Sequence, residues 1–142
     1  VDFCIMIKQA RRMKNKNDSK RGEKTMWKKK ICVVVGGAKG RGSNLVEEYA
    51  GRRYHIAFMD TDKERGKLLK EKMEKEYGRK VFFFHGDAGS EEDLELFAGA
   101  VIGQYRKVDC LYYRTDIAEN AGEIEGLLRD HLKEDGSVET FC

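Results

Sequence analysis

The chain has no proline, only one tryptophan in 142 residues, and four cysteines without a CxxC pair. With proline absent, glycine must supply most of the punctuation between elements. Cys4, Cys32, Cys110 and Cys142 are too widely spaced for a zinc ligand set or a disulfide framework, so neither is expected and a reducing cytoplasm is the natural setting. His55, His85 and His131 form no ligand spacing, and no metal site is expected. Nor does any apolar run approach the length of a membrane span. The apolar stretch Phe3 to Ile7 precedes basic residues rather than following them, which is the wrong order for a signal peptide. These absences predict a cytoplasmic protein with no membrane partner.

Charge is abundant but unevenly placed. Residues 1–30 hold eleven Lys/Arg against three Asp/Glu, a net of +8 that leaves −5 for the remainder of a +3 chain. Residues 8–30 offer little to bury beyond Met13, Met26 and Trp27. Such a segment cannot recover its ordering entropy through a core, so a disordered leader or a loosely attached helix is expected. A solvated tail is preferred over a nucleic-acid-binding arm. Met26-Trp27-Lys28-Lys29-Lys30 also reads as an alternative start just ahead of the first strand.

From Ile31 onward, strand-like and helix-like segments alternate, the pattern of a parallel sheet with helices on both faces. Strands are expected at Ile31–Val35, Tyr54–Met59, Val81–His85, Val108–Tyr113 and Gly136–Cys142. The intervening helices should run from about Ser43 to Ala50, from a capping-box pattern at Thr61-Asp62-Lys63-Glu64 to Gly78, and from Ser90 onward. The third shows Leu94, Phe97, Ala98, Val101, Ile102 and Tyr105 at helical spacing, one stripe facing the sheet. A fourth carries Ile124, Leu127, Leu128 and Leu132 before Gly136. Right-handed crossovers then give a doubly wound sheet of order 3-2-1-4-5 in three α/β/α layers, with residues 31–142 as one domain. Its fifth strand would be an exposed edge, a route to a homo-oligomer.

The chemistry-bearing residues gather at the ends of these strands. After Ile31-Cys32-Val33-Val34-Val35 come Gly36, Gly40 and Gly42, spaced GxxxGxG, and then a helix. Glycines let the backbone turn sharply and approach a ligand, and the helix that follows offers unpaired N–H groups to a phosphate. Asp60 ends the second strand, 24 residues after Gly36, where a carboxylate can accept from both hydroxyls of an adenosine ribose. Asp87-Ala88 follows the third strand, where a carboxylate can meet the adenine amine. Tyr112-Tyr113-Arg114 ends the fourth, most simply as a buried strand end.

Over roughly residues 30–120 this order resembles the short-chain dehydrogenase/reductase family. Val35-Gly36-Gly37-Ala38-Lys39-Gly40-Arg41-Gly42 is similar to the family's glycine turn TGxxxGxG, Asp60 to its acidic end of strand two, and Asp87-Ala88 to its Asp-Val pair. The family's Asn-Asn-Ala-Gly falls on Tyr113-Arg114-Thr115-Asp116, where nothing is retained, and Val35 and Arg41 replace its threonine and isoleucine. The resemblance implies a Rossmann-like domain binding a nicotinamide dinucleotide through Gly36, Lys39, Gly40, Arg41, Gly42, Asp60, Asp87 and Ala88. Asp60 would repel a 2′-phosphate and favours NAD, whereas Lys39 is a family hint toward NADP.

The family moves its proton with a tyrosine and a lysine four residues apart, since a nearby ammonium lowers the phenol pKa. Here Tyr49, Tyr54, Tyr77, Tyr105, Tyr112 and Tyr113 are followed at that spacing by Arg, Phe, Val, Asp, Asp and Ile. The expectation is therefore a cofactor-binding half, truncated or degenerate, with no catalytic residue in the chain and no turnover alone. The alternatives are a non-catalytic nucleotide sensor or scaffold, and an S-adenosylmethionine methyltransferase, whose usual acid ahead of the glycine turn is missing.

Overall fold

A computed structural model of the protein describes residues 30–114 and 122–141. Residues 1–29 of the basic leader, Thr115-Asp116 and Cys142 lie outside them. The element order is β1 (Ile31–Val35), α1 (Gly40–Gly51), β2 (His55–Asp60), α2 (Lys63–Tyr77), β3 (Val81–His85), α3 (Glu91–Tyr105), β4 (Val108–Arg114), α4 (Glu123–Leu128), a 3-10 turn (Arg129–His131) and β5 (Leu132–Phe141). The five strands form one sheet of order β3-β2-β1-β4-β5, and every neighbouring pair is parallel. The expected doubly wound α/β architecture is therefore present.

β1 and β2 are buried along their whole length, which is why they read as apolar runs rather than alternating patterns. Successive side chains point to opposite faces. Ile31, Val33, Val35, Ala57 and Met59 pack with Leu94, Phe97 and Val101 of α3 and with Ile124 and Leu128 of α4. Cys32, Val34, Ile56 and Phe58 pack with Val46, Tyr49 and Ala50 of α1 and Leu69 and Met73 of α2. Two helices thus cover each face, and the stripe read on α3 is the one that faces the sheet.

Beyond one-residue shifts at the ends of β2 and β4, several boundaries differ from the sequence expectation. α1 begins at Gly40, inside the glycine turn, rather than near Ser43. The cap of α2 is Asp62, whose side chain accepts from the Arg65 N–H, so Thr61 and Glu64 form no capping box. α4 stops at Leu128, and Leu132 already pairs with Val108 as the first residue of β5. Gly136 is consequently not a helix stop. It sits in a register shift of β5, where a Cβ would fall 2.8 Å from the Asp109 carbonyl oxygen. A bulge with a close backbone approach takes glycine for the same local reason that a helix terminus does.

Candidate functional site

The strand registers align the carboxyl ends of four strands. Val35 of β1 lies beside Met59 of β2 and Tyr113 of β4, and Met59 lies beside Phe84 of β3. One residue further along the chain come Gly36, Asp60 and His85, so these strand ends lie side by side at the carboxyl edge of the sheet, at its switch point.

The glycine turn is fastened to the end of β2. The Gly36 and Gly37 N–H groups both donate to the Met59 carbonyl, at 2.7 and 3.3 Å. The Ala38 N–H donates to Asp60 Oδ2 at 3.0 Å, and the Asp62 N–H donates to Asp60 Oδ1 at 2.9 Å. Asp60, only 7% exposed, therefore braces the turn and the lead-in to α2 at once. An ionised carboxylate offers about four acceptor positions, and these two bonds leave room for further donors. The Asp60 carbonyl also accepts from the Gly86 N–H at 3.1 Å, which ties in the end of β3.

Gly42 is where α1 crosses the turn. A Cβ there would fall 1.8 Å from the Gly36 carbonyl oxygen, so no other residue fits. Gly40 differs: its φ is +63°, and a Cβ would meet nothing within 4 Å. Its conformation favours glycine, and the space beside it is open to an incoming group. Lys39, in the N-cap position, makes no side-chain cap, and the first turn of α1 contains no acid. Lys39 and Arg41 are both exposed. The start of α1 thus joins the positive end of a helix dipole, two cations and an open glycine.

Asp87 is exposed. Its Oδ1 accepts from the Gly89 N–H at 2.8 Å, and its own N–H donates to Asp93 Oδ2 at 2.9 Å. Ala88 beside it is buried among the residues of the α3 face. Asp93 holds Asp87 in place while its N–H is capped by Ser90, a supporting role that sequence reading missed. The Ser90-Glu91-Glu92-Asp93 pattern was visible, but only as a helix start.

Other candidates take structural places. His85 ends β3, and its Nε2 lies 3.0 Å from the Thr61 carbonyl oxygen. The Tyr112 and Tyr113 side chains go to opposite faces of the sheet. The Tyr112 hydroxyl lies 2.5 Å from that of Tyr49 and donates to Glu139 Oε2 at 3.3 Å. Among the described residues no group of histidine, cysteine and carboxylate side chains could hold a metal ion, and no helix is long and apolar enough to cross a membrane.

Sheet order and the glycine turn at the end of β1 together define a doubly wound parallel α/β domain, a fold that holds dinucleotides at its switch point. The family model described as "short chain dehydrogenase" matches residues 30–138, and the chain belongs to that family. It is the type of domain that binds the nicotinamide dinucleotide in oxidoreductases of this family. It is similar to mouse L-fucose dehydrogenase, 26% identical over 98 residues, covering 69% of this chain and 32% of that protein. It is similar also to cis-2,3-dihydrobiphenyl-2,3-diol dehydrogenase of Pseudomonas putida, 31% identical over 81 residues, covering 57% and 28%. In fold it matches an alcohol dehydrogenase from the archaeon Thermococcus sibiricus complexed with 5-hydroxy-NADP, with a TM-score of 0.71 at 19% identity, covering 80% of this chain and 57% of that one. The chain spans about a third of the length of the curated relatives it matches.

Proposed function

We propose that residues 31–142 bind NAD(H) as the cofactor-binding part of a short-chain dehydrogenase/reductase-type oxidoreductase, the basic leader lying outside that unit. The observation that carries this reading is the open start of α1: an uncapped helix N-terminus, free of acids, reached through a left-handed Gly40 with empty space beside it. The diphosphate would lie over Gly36, Gly40 and Gly42, taking hydrogen bonds from the first turn of α1. Lys39 and Arg41 would add countercharge from the rim.

Asp60 would take the adenosine ribose. Its carboxylate is held by two backbone N–H groups, so it cannot swing away from a ligand. A 2′-phosphate placed against it would meet an immobile negative charge, which supports NAD over NADP despite Lys39. Asp87 would accept from the adenine amine, and buried Ala88 would keep the backbone close to the ring. When bound, the nicotinamide supplies or accepts a hydride. The residues described above bind and orient the cofactor, and we assign no residue of this chain to proton transfer.

Calorimetric titration with NAD, NADP and S-adenosylmethionine tests the assignment. NAD is expected to bind more tightly than NADP, and S-adenosylmethionine not at all. Tighter binding of NADP would reverse the cofactor choice, and binding of S-adenosylmethionine alone would remove the reading. A panel of alcohols and ketones supplied with NAD(H) is expected to give no turnover with this chain. The edge of β5, the last strand of the sheet among the described residues, is the proposed place for a second copy or a further strand to add.

A further inference from the structure

The amino edge of the sheet, opposite the glycine turn, carries a charge pattern that dinucleotide binding does not use. The strands are parallel and start nearly level, so the turns that lead into them lie side by side. Those turns are 52–54 before β2, 78–80 before β3, 106–107 before β4 and 129–131 before β5. They hold seven Lys/Arg against one acid, Asp130, and Lys30 precedes β1. Residues 31–142 as a whole carry −5, the +3 of the chain less the +8 of residues 1–30, so the cations are segregated to this edge. In spatial order the row runs from Arg79-Lys80 through Arg52-Arg53, Lys30 and Arg106-Lys107 to Arg129. Strands about 4.8 Å apart make it roughly 19 Å long.

Helix packing does not account for these charges. Four helices end here, and their C-terminal dipoles would balance about two of them. Two of the arginines stand where glycine is favoured: Arg53 has a φ of +71° and Arg106 of +69°. An end that needed only to turn would take glycine, as α2 does with Gly78. The acids of the neighbouring helix ends and of β4 are committed. Glu48 lies 2.7 Å from Arg52, Glu74 3.0 Å from Lys70, and Asp109 3.3 Å from Lys107. Among the described residues no acid pairs with Arg53, Arg106 or Arg129.

We propose that this edge binds single-stranded nucleic acid, with phosphates on the row of cations and an unpaired base in the cavity beside β3. Five of the eight cations are arginine, whose planar fork takes two phosphate oxygens at once. Single strands bind where cations and aromatic rings interleave. The exposed Tyr77 ring lies 3.8 Å from where a Cβ on Gly51 would be, and so stands beside the Arg52-Arg53 turn. At Lys80 the edge opens into a cavity of about 390 Å³, where Phe82 and Tyr105 offer apolar walls and Gln104 an amide that both donates and accepts. A base held in a duplex cannot enter it, which favours a single strand. The basic leader adds to the same surface. By composition it reads as a solvated tail, but the ten Lys/Arg of residues 1–29 join the sheet at Lys30, the middle of the row. A lipid surface is the poorer match. Of the large apolar side chains exposed among the described residues, Leu68 and Leu96 lie in the first halves of α2 and α3, and only Tyr77 is at this edge.

The test is fluorescence anisotropy of a labelled oligouridylate with the full chain across a salt series, beside its duplex with oligoadenylate and vesicles of phosphatidylserine. The single strand is expected to bind more tightly than the duplex, with affinity falling as salt rises. Arg53→Gly/Arg106→Gly removes two cations where the backbone suits glycine, so its urea midpoint should not fall. It should weaken binding several-fold and reduce the slope of log affinity on log salt by about 1.4, at about 0.7 per phosphate contact. Arg129→Gln, on a separate turn, should take away half as much. Lys63→Gln/Lys67→Gln removes the same charge from the far half of α2 and should leave binding unchanged. Unaltered affinity in the Arg53→Gly/Arg106→Gly chain would assign binding to the leader alone and overturn the proposal. An equal loss in the Lys63→Gln/Lys67→Gln chain would do the same, since net charge would then suffice. No binding of the single strand, or a preference for the duplex or the vesicles, would also sink it.

Discussion

The three longer helices of this molecule, α1, α2 and α3, start in two ways, whereas the six-residue α4 lacks a side-chain cap but carries Glu123 and Glu125 in its first turn. α2 and α3 are closed: Asp62 and Ser90 cap them with side-chain oxygens, at 3.0 and 3.2 Å from the Arg65 and Asp93 N–H groups. Both carry acids in the first turn, Glu64 in α2 and Glu91, Glu92 and Asp93 in α3. α1 has neither cap nor acid, and Lys39 and Arg41 flank its first residue. A helix whose purpose is packing closes its own N–H groups and dipole. A helix that leaves them open, in a chain able to cap its neighbours, has them in reserve for an anion. The contrast lies within one sheet and among helices of similar length, so propensity does not account for it.

The sharpest way to break this comparison is Gly42→Ala. Its Cβ would collide with the Gly36 carbonyl, and neither backbone can yield while the turn is held by Met59 and Asp60. We expect a loss of about 3 kcal/mol in urea unfolding and no measurable NAD binding by calorimetry. Asp60→Ala comes next. It orphans the N–H groups of Ala38 and Asp62, which should cost about 2 kcal/mol, and removes the proposed ribose contact. Stability and NAD affinity should therefore fall together, and the preference against NADP should shrink.

Ser90→Ala at a closed start should lower stability by about 1 kcal/mol and leave NAD affinity unchanged within error. If it weakens binding as much as changes in the glycine turn do, the open and closed starts do not differ in function. The smallest effect is expected of Lys39→Ser, which offers α1 the cap it lacks. It should raise stability by about 0.5 kcal/mol while weakening NAD binding, because the new hydroxyl competes for the N–H groups the diphosphate needs.

Much of the fold was legible because its signals are local. An unbroken apolar run such as Ile31 to Val35 can be satisfied only with cover on both faces, and the stripe from Leu94 to Tyr105 has one helical reading. Gly78 was legible as a terminator, and it caps α2 with φ of +63°. Where the reading slipped, one local signal had two physical outcomes. Gly136 marks a bulge rather than a helix end, and Leu132 suits a strand start as well as the last turn of a helix. At the site, spacing brought the glycines and Asp60 to one edge. It could not show that Asp60 is spoken for by Ala38 and Asp62 before any ligand arrives. Nor could it show that Asp93, read as part of a helix start, holds Asp87.

The chain's own pattern decides the alternation of strand and helix, the right-handed winding that follows from it, and the glycine spacing that opens a crevice. These depend on residue shape and on periods of two and 3.6, which any short stretch carries within itself. Tertiary structure alone decides who meets whom across the sheet. It joins Ala38 to Asp60 across 22 residues and Ile31 to Asp109 across 78, and it sets Cys32 against Cys110. Such partners follow from strand order and register, which are settled by the burial of the whole sheet, and no stretch of sequence near either residue records them.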